Sequence, residues 1–76
     1  MARPIYEIVQ DIDLDWKKPN YAAVPYLSAM ASLDKITDFY GCDSGKSIVL
    51  YFLSNADSWR GEVAKRVKAE LRALVG

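Results

Sequence analysis

The stretch Ser47-Ile-Val-Leu-Tyr-Phe-Leu-Ser54 constrains the fold more than any other part of the chain. Six consecutive apolar residues, Ile48 to Leu53, leave no polar face under helical or strand periodicity, so most sides need cover. Its shortness and its β-branched and aromatic content also permit a strand. Helix is the reading adopted here. Asp43 supplies an N-cap, and helical spacing stacks Ile48 on Phe52 and Val49 on Leu53. Ser47 and Ser54 then share one narrow polar strip. The segment at about 43–56 is expected to be a central buried helix.

Three further helices are expected around it. Pro4 suits a first helical position, and Ile5, Ile8, Val9, Ile12 and Trp16 fall on one face of a helix ending near Ile12–Asp15. Asp13 and Asp15 face the negative end of its dipole. Lys17-Lys18-Pro19-Asn20 reads as a connection. A second helix is expected from Val24 or Pro25 to Tyr40, with Tyr26, Met30, Leu33, Ile36, Thr37 and Tyr40 on one side. Leu27, Ala31, Asp34 and Asp38 lie on the other, and Gly41 acts as a left-handed C-cap. Asp57 or Ser58 caps the last helix, with Glu62 in its first turn. Trp59, Val63, Ala64, Val67, Leu71, Leu74 and Val75 form its apolar arc, and Glu62, Arg66 and Glu70 can pair along an edge. The expectation is an all-α, compact four-helix bundle forming one domain over residues 1–76.

Composition narrows the functional classes. An apolar fraction of 51% with nine aromatic residues argues against disorder. The 76 residues give so small a core that a homodimer would help bury apolar surface. No apolar run approaches the ~18–20 residues of a membrane span, and no signal-peptide pattern is seen, so a cytoplasmic protein without membrane contact is expected. Cys42 is the single cysteine and histidine is absent, so neither an internal disulfide nor an ordinary zinc site can form. Cys42 reads as a small residue in a helix–helix turn. No cofactor and no metal are expected.

Two motif-like runs fail on spacing. Gly41-Cys-Asp-Ser-Gly45-Lys46-Ser47 has three residues between its glycines where a P-loop needs four, leaving only backbone N–H groups and Lys46 to hold an anion. Asp11-Ile-Asp13-Leu-Asp15 opens like a calcium loop, but Trp16 and Ala22 stand where glycine and glutamate are required. No Ser/His/Asp or Cys/His set exists, so catalysis is not expected. Arg60, between Trp59 and Gly61, reads as a structural group that pairs with an acid or helix carbonyls while stacking on a ring. Gly61 reads as a point of close backbone approach.

Charge is zero overall but uneven. Residues 1–43 carry a net of −3, and residues 44–76 a net of +3. Such asymmetry marks a nucleic-acid face, an acidic decoy face, or halves that attract each other. The first reading of function is protein binding. The acids Asp11, Asp13, Asp15, Asp34 and Asp38, with Tyr6, Leu14 and Leu27 if exposed, would occupy basic clusters on a partner. Phe39 is also unexplained by its helix stripe. The alternative is weak nucleic-acid binding by Lys65, Lys68 and Arg72, with Lys46 nearby, without aromatics or base-readers on that face.

The runs Val24-Pro-Tyr-Leu-x-Ala-Met30, Tyr40-Gly-x-Asp-Ser44, Ser47-Ile-Val-Leu-Tyr-Phe-Leu-x-Asn-Ala56 and Trp59-Arg-Gly-Glu62 through Lys68-Ala-Glu-Leu71 resemble a set of small uncharacterised proteins of bacterial phages and other mobile elements. The likeness spans roughly residues 24–71. It implies a small non-enzymatic accessory protein that binds a host protein or a defence complex, and an anti-CRISPR-type inhibitor fits that setting. It assigns no residue a role.

Overall fold

In the computed structural model, which describes residues 3–76, the elements are α1 (Ile5–Asp15), α2 (Val24–Met30), β1 (Phe39–Tyr40), β2 (Asp43–Ser44), α3 (Gly45–Ser54) and α4 (Glu62–Val75). The chain is predominantly helical. It departs from a purely α bundle where the expected second helix breaks after Met30: turns follow, and its last two residues, Phe39 and Tyr40, enter a short hairpin.

The stripe on α1 is as its spacing predicts: Ile5, Ile8, Val9 and Ile12 are buried, and Trp16 packs on the core. Pro4 is the N-cap and not the first helical residue, with extended ψ of 147°, and no side chain caps the helix. Its free N–H groups find partners far along the chain instead. Ile5 donates to the Asp34 carbonyl at 2.8 Å and Tyr6 to the Leu33 carbonyl at 2.9 Å. Those bonds explain why α2 ends at Met30 and not at Tyr40, since Leu33 and Asp34 must leave the helix to expose their carbonyls. Tight turns follow, Ser32 N–H to Ala29 and Leu33 N–H to Met30, and the Ser32 hydroxyl donates to the Ala29 carbonyl at 2.8 Å. The Asp38 carboxylate then accepts the Asp34 and Lys35 N–H groups at 3.1 and 3.0 Å.

The hairpin pairs Phe39 with Ser44 and Tyr40 with Asp43 in antiparallel register. Gly41, expected as a helix C-cap, is left-handed for another reason. With φ of 64° it is the first of the two turn residues, where hairpins favour glycine. Cys42 is the second and is exposed, in a β-turn and not between helices.

The apolar run is helical, as expected, but its cap and its burial differ. Ser44, not Asp43, is the N-cap, its hydroxyl accepting from the Ser47 N–H at 3.2 Å. Ile48, Val49 and Phe52 are buried, whereas Leu50 and Tyr51 are exposed and Leu53 is only partly covered. The central helix thus has an uncovered apolar side. Gly45 starts α3 where nothing larger fits: an added Cβ would lie 2.8 Å from the Ile36 carbonyl oxygen and 3.2 Å from that of Asp38.

The last helix begins later than Asp57 or Ser58. Its N-cap is Gly61 at φ 115°, with no side-chain capping bond. No atom lies within 4 Å of a Cβ built on Gly61, so its backbone angle, not close packing, calls for glycine. Trp59 and Arg60 therefore sit in the connection from α3 to α4. Ala64, Val67 and Leu71 bury the helix against the core.

Replacing Gly45 by alanine should cost about 1–3 kcal/mol, because two backbone carbonyls would have to move. A urea melt reads this as a lower midpoint at unchanged slope. An unchanged midpoint would refute the close approach.

Candidate functional site

Most of the acids expected to face a partner are engaged inside the fold. Asp11 accepts from Arg3 at 2.9 Å, with Arg66 farther off at 3.9 Å. Asp15 accepts the Trp59 indole N–H at 2.8 Å, which explains an acid in the last turn of α1. The Asp38 carboxylate holds the turn after α2, and its pKa lies below the ordinary carboxylate value because the Lys35 and Asp34 N–H groups bond to its charged form. Asp34 contributes its backbone carbonyl to α1, while its side chain is exposed. Asp13 is exposed too, as are Tyr6 and Leu14, the latter at 70%. Leu27, at 6%, belongs to the core and cannot serve a surface. Asp11, Leu14 and Asp15 do line one cavity of about 230 Å³, with Val63 and Arg66, whereas Asp13 and Asp34 line other parts of the surface.

The basic stripe is broken in the middle. Lys68 donates from Nζ to the Ala56 carbonyl at 2.7 Å and to the Trp59 carbonyl at 2.6 Å, with its ammonium 5.8 Å from the Trp59 ring centroid. Burial lowers its pKa. Lys65 and Arg72 flank it and are exposed, and Lys46 is exposed on α3. Arg60 is exposed as well and lies in the connection before α4, outside any helix. Its Nε is 3.5 Å from the Asp57 carbonyl, a bond at the limit of length. Arg60, Lys65 and Lys68 line a cavity of about 510 Å³ at the uncapped start of α4, which Glu62 shares. The edge pairing expected within α4 is replaced by a longer one: Glu70 receives Arg3 in a fork, 2.9 Å from Nε and 2.7 Å from Nη2.

The most coherent exposed surface lies elsewhere. Tyr26 from α2, Tyr40 from β1 and Tyr51 from α3 line one groove of about 260 Å³, with Asp43 beside them and Pro25, Ala29 and Ile48 completing it. The rings of Tyr26 and Tyr51 are 5.6 Å apart at 22°. Tyr51 is 56% exposed and Tyr40 nearly as open. Hairpin register fixes the rest, because Tyr40 and Asp43 are directly opposed and so project from the same face. The sequence expectation puts Tyr26 and Tyr40 on one side of a single long helix, away from Tyr51, and so does not show this surface. The available signal was Tyr40-Gly41-Cys42-Asp43, whose glycine at a hairpin turn position reverses the chain and brings Tyr40 back over α3.

Among the described residues no group of three or more His, Cys, Asp or Glu side chains could hold a metal ion, and no helix is long and apolar enough to cross a membrane. Comparison with protein-family models, with curated proteins and with solved structures gives no match.

The paired carboxylates set an acid limit on stability. Glu70 has its pKa lowered chiefly by the hydrogen bond from Arg3, and Asp38 by its two backbone donors. A carboxylate whose folded pKa is depressed stabilises the fold above its unfolded value, about 4, and loses that contribution as pH falls through the folded pKa. The melting temperature should therefore drop below about pH 4, and Glu70→Gln should make that drop shallower while lowering stability at neutral pH. An acid limb of unchanged steepness in the variant would remove Glu70 from this role.

Proposed function

We propose that the chain is a non-enzymatic binding protein that docks a partner protein through the tyrosine face formed by α2, the hairpin and α3. The observation that carries this reading is the convergence of three tyrosines, from three different elements, on one open groove. Exposed aromatic side chains supply large contact area at low entropic cost and dominate protein interfaces. The acids of the first half are a weaker support than their number suggests, because Asp11, Asp15 and Asp38 are already bonded within the fold. Tyr6, Asp13 and Leu14 remain exposed on α1 and add a weaker, scattered contribution. Binding would act by occlusion, the partner's own contact being covered. The phage or mobile-element resemblance supplies the setting of that proposal: a host protein or defence complex in the cytoplasm, with an anti-CRISPR-type inhibitor as one form of it.

A nucleic-acid reading has one favourable observation, the uncapped N-terminus of α4 beside Arg60 and Lys65. It loses Lys68, which is committed to two carbonyls.

A tagged pull-down from bacterial lysate, with and without nuclease, separates the two. Under the protein-binding reading a stoichiometric partner survives nuclease and is depleted at least about tenfold by the double change Tyr40→Ser, Tyr51→Ser. Capture that ignores the tyrosines but vanishes with nuclease, above roughly 200 mM salt, or in Lys65→Ala, Arg72→Ala would overturn it in favour of nucleic acid.

A further inference from the structure

We propose that the outer face of α3 pairs with the same face of a second copy of the chain, the two helices antiparallel about a two-fold axis at Leu50. This goes beyond the protein-binding reading, because it needs no other protein and rests on the open side of α3.

Spacing along α3 defines that face. Lys46, Leu50 and Ser54 are four residues apart, form one row along the helix, and are all exposed. Ser47, Tyr51 and Asn55 form the adjoining row, with Tyr51 exposed and the other two partly so. Each row is apolar in the middle and polar at both ends. Leu50 and Tyr51, at 44% and 56% exposure, are the part of the apolar run that the fold leaves open. The Tyr51 ring is stacked on Tyr26 at 5.6 Å, so nothing inserts between them and the face meets a partner as a ridge. A ring already held in place also loses little freedom on docking.

The pattern selects a second copy. Polar ends around an apolar middle read the same in both directions, as a two-fold interface requires of a surface that must fit itself. With Leu50 on the axis, Lys46 and Ser54 lie about 6 Å to either side, at roughly 1.5 Å of rise per residue. Each Lys46 then stands beside the last turn of the other copy's α3. Charge favours that placement. α3 has no acid in its first turn and no base in its last. Lys46 sits at the positive end of its own helix dipole, where a cation is disfavoured, and antiparallel pairing brings it to a negative end instead. A parallel pair would set Lys46 against Lys46 and like dipole ends together. In the antiparallel pair the two ammonium groups are about 12 Å apart along the axis, beyond the ~8 Å screening length at physiological salt.

Area sets the strength. A ring buries roughly 150–250 Å² in full, so half-open Leu50 and Tyr51 offer at most a few hundred Å² of apolar contact per copy. Stable complexes bury about 800 Å² a side, so the pair is weak, with a dissociation constant of about 0.1 mM. A tighter partner at Tyr51 displaces it.

Sedimentation equilibrium on the full chain, from about 10 μM to about 1 mM, tests this. The mass should rise from one chain toward two. Leu50→Lys, a change at an exposed helical position, should weaken association at least about tenfold. Lys46→Glu should also weaken it, while raising the melting temperature, because an acid suits the first turn of α3. That opposite movement separates loss of contact from loss of fold. Orientation is read by disulfide trapping in a Cys42→Ser background. Leu50→Cys, on the axis, should cross-link under mild oxidation, and Ser54→Cys should not. A constant mass up to 1 mM, association indifferent to Leu50→Lys, or equal cross-linking by Ser54→Cys overturns the proposal. A monomer in sedimentation with a lysate partner that still depends on Tyr40 and Tyr51 sinks this inference and leaves the binding reading standing. Self-association lost in Leu50→Lys, with no lysate partner, does the reverse.

Discussion

Trp59 ties the end of α1, the connection before α4 and α4 itself into one junction. Its ring is buried, lies parallel to Trp16 at 5.6 Å, and sends its N–H to Asp15, while its carbonyl receives Lys68. Trp16 in turn meets Phe52 edge-on, so α1, α3 and α4 converge on one aromatic stack. The connection between α3 and α4 has no regular structure to satisfy its carbonyls. Lys68 reaches back and satisfies two of them, with charge-assisted bonds typically worth about 1.5–3 kcal/mol each. Without that arrangement the connection would have to face water, and the covering of Phe52 would go with it.

At the opposite end a second chain of bonds sets the groove. α1 cannot cap itself behind Pro4, so Leu33 and Asp34 give it their carbonyls. Asp38 ties that turn, and its own carbonyl receives the Gly45 N–H at 2.7 Å, at the exact spot where no Cβ fits. The start of α1 and the start of α3 are thus linked through the irregular backbone from Leu33 to Asp38. Tyr40 rides on that linkage. The aromatic surface is therefore held by backbone bonds on its hairpin side and by the core on its helical sides.

The legibility of the chain follows the range of the interactions that decide each part. The stripe Ile5, Ile8, Val9, Ile12 was readable because a helix repeats its own pattern, and so was the helical nature of Ile48 to Leu53. The break after Met30 was not, since Leu33 and Asp34 leave the helix for partners on α1, and no local residue there forbids continuing. Trp59 fits the arc of α4 by spacing alone, yet Gly61 at φ 115° ends the run before it starts. Lys68 fits a solvated stripe equally well, and only the position of Ala56 and Trp59 reveals it as a carbonyl clamp. For the surface, Asp11, Asp13 and Asp15 drew notice by alternation, but bonding within the fold took two of the three. The tyrosines drew less because Tyr26, Tyr40 and Tyr51 are separated in sequence and meet only after the hairpin turns. The charge asymmetry between halves is partly internal, with Asp11 near Arg66, and partly crossed by Arg3 reaching Glu70.

Both tryptophans of the chain stand in the one stack, while three of its five tyrosines line the groove on another face. The molecule therefore carries two optically distinct reporters, with indole emission following the helix junction and phenol absorbance weighted toward the groove. A ligand that enters the groove can disturb the phenol spectrum and leave the indole emission in place, whereas loss of the junction changes the indole signal first. Occupancy and unfolding are thus separable by wavelength in the unlabelled protein.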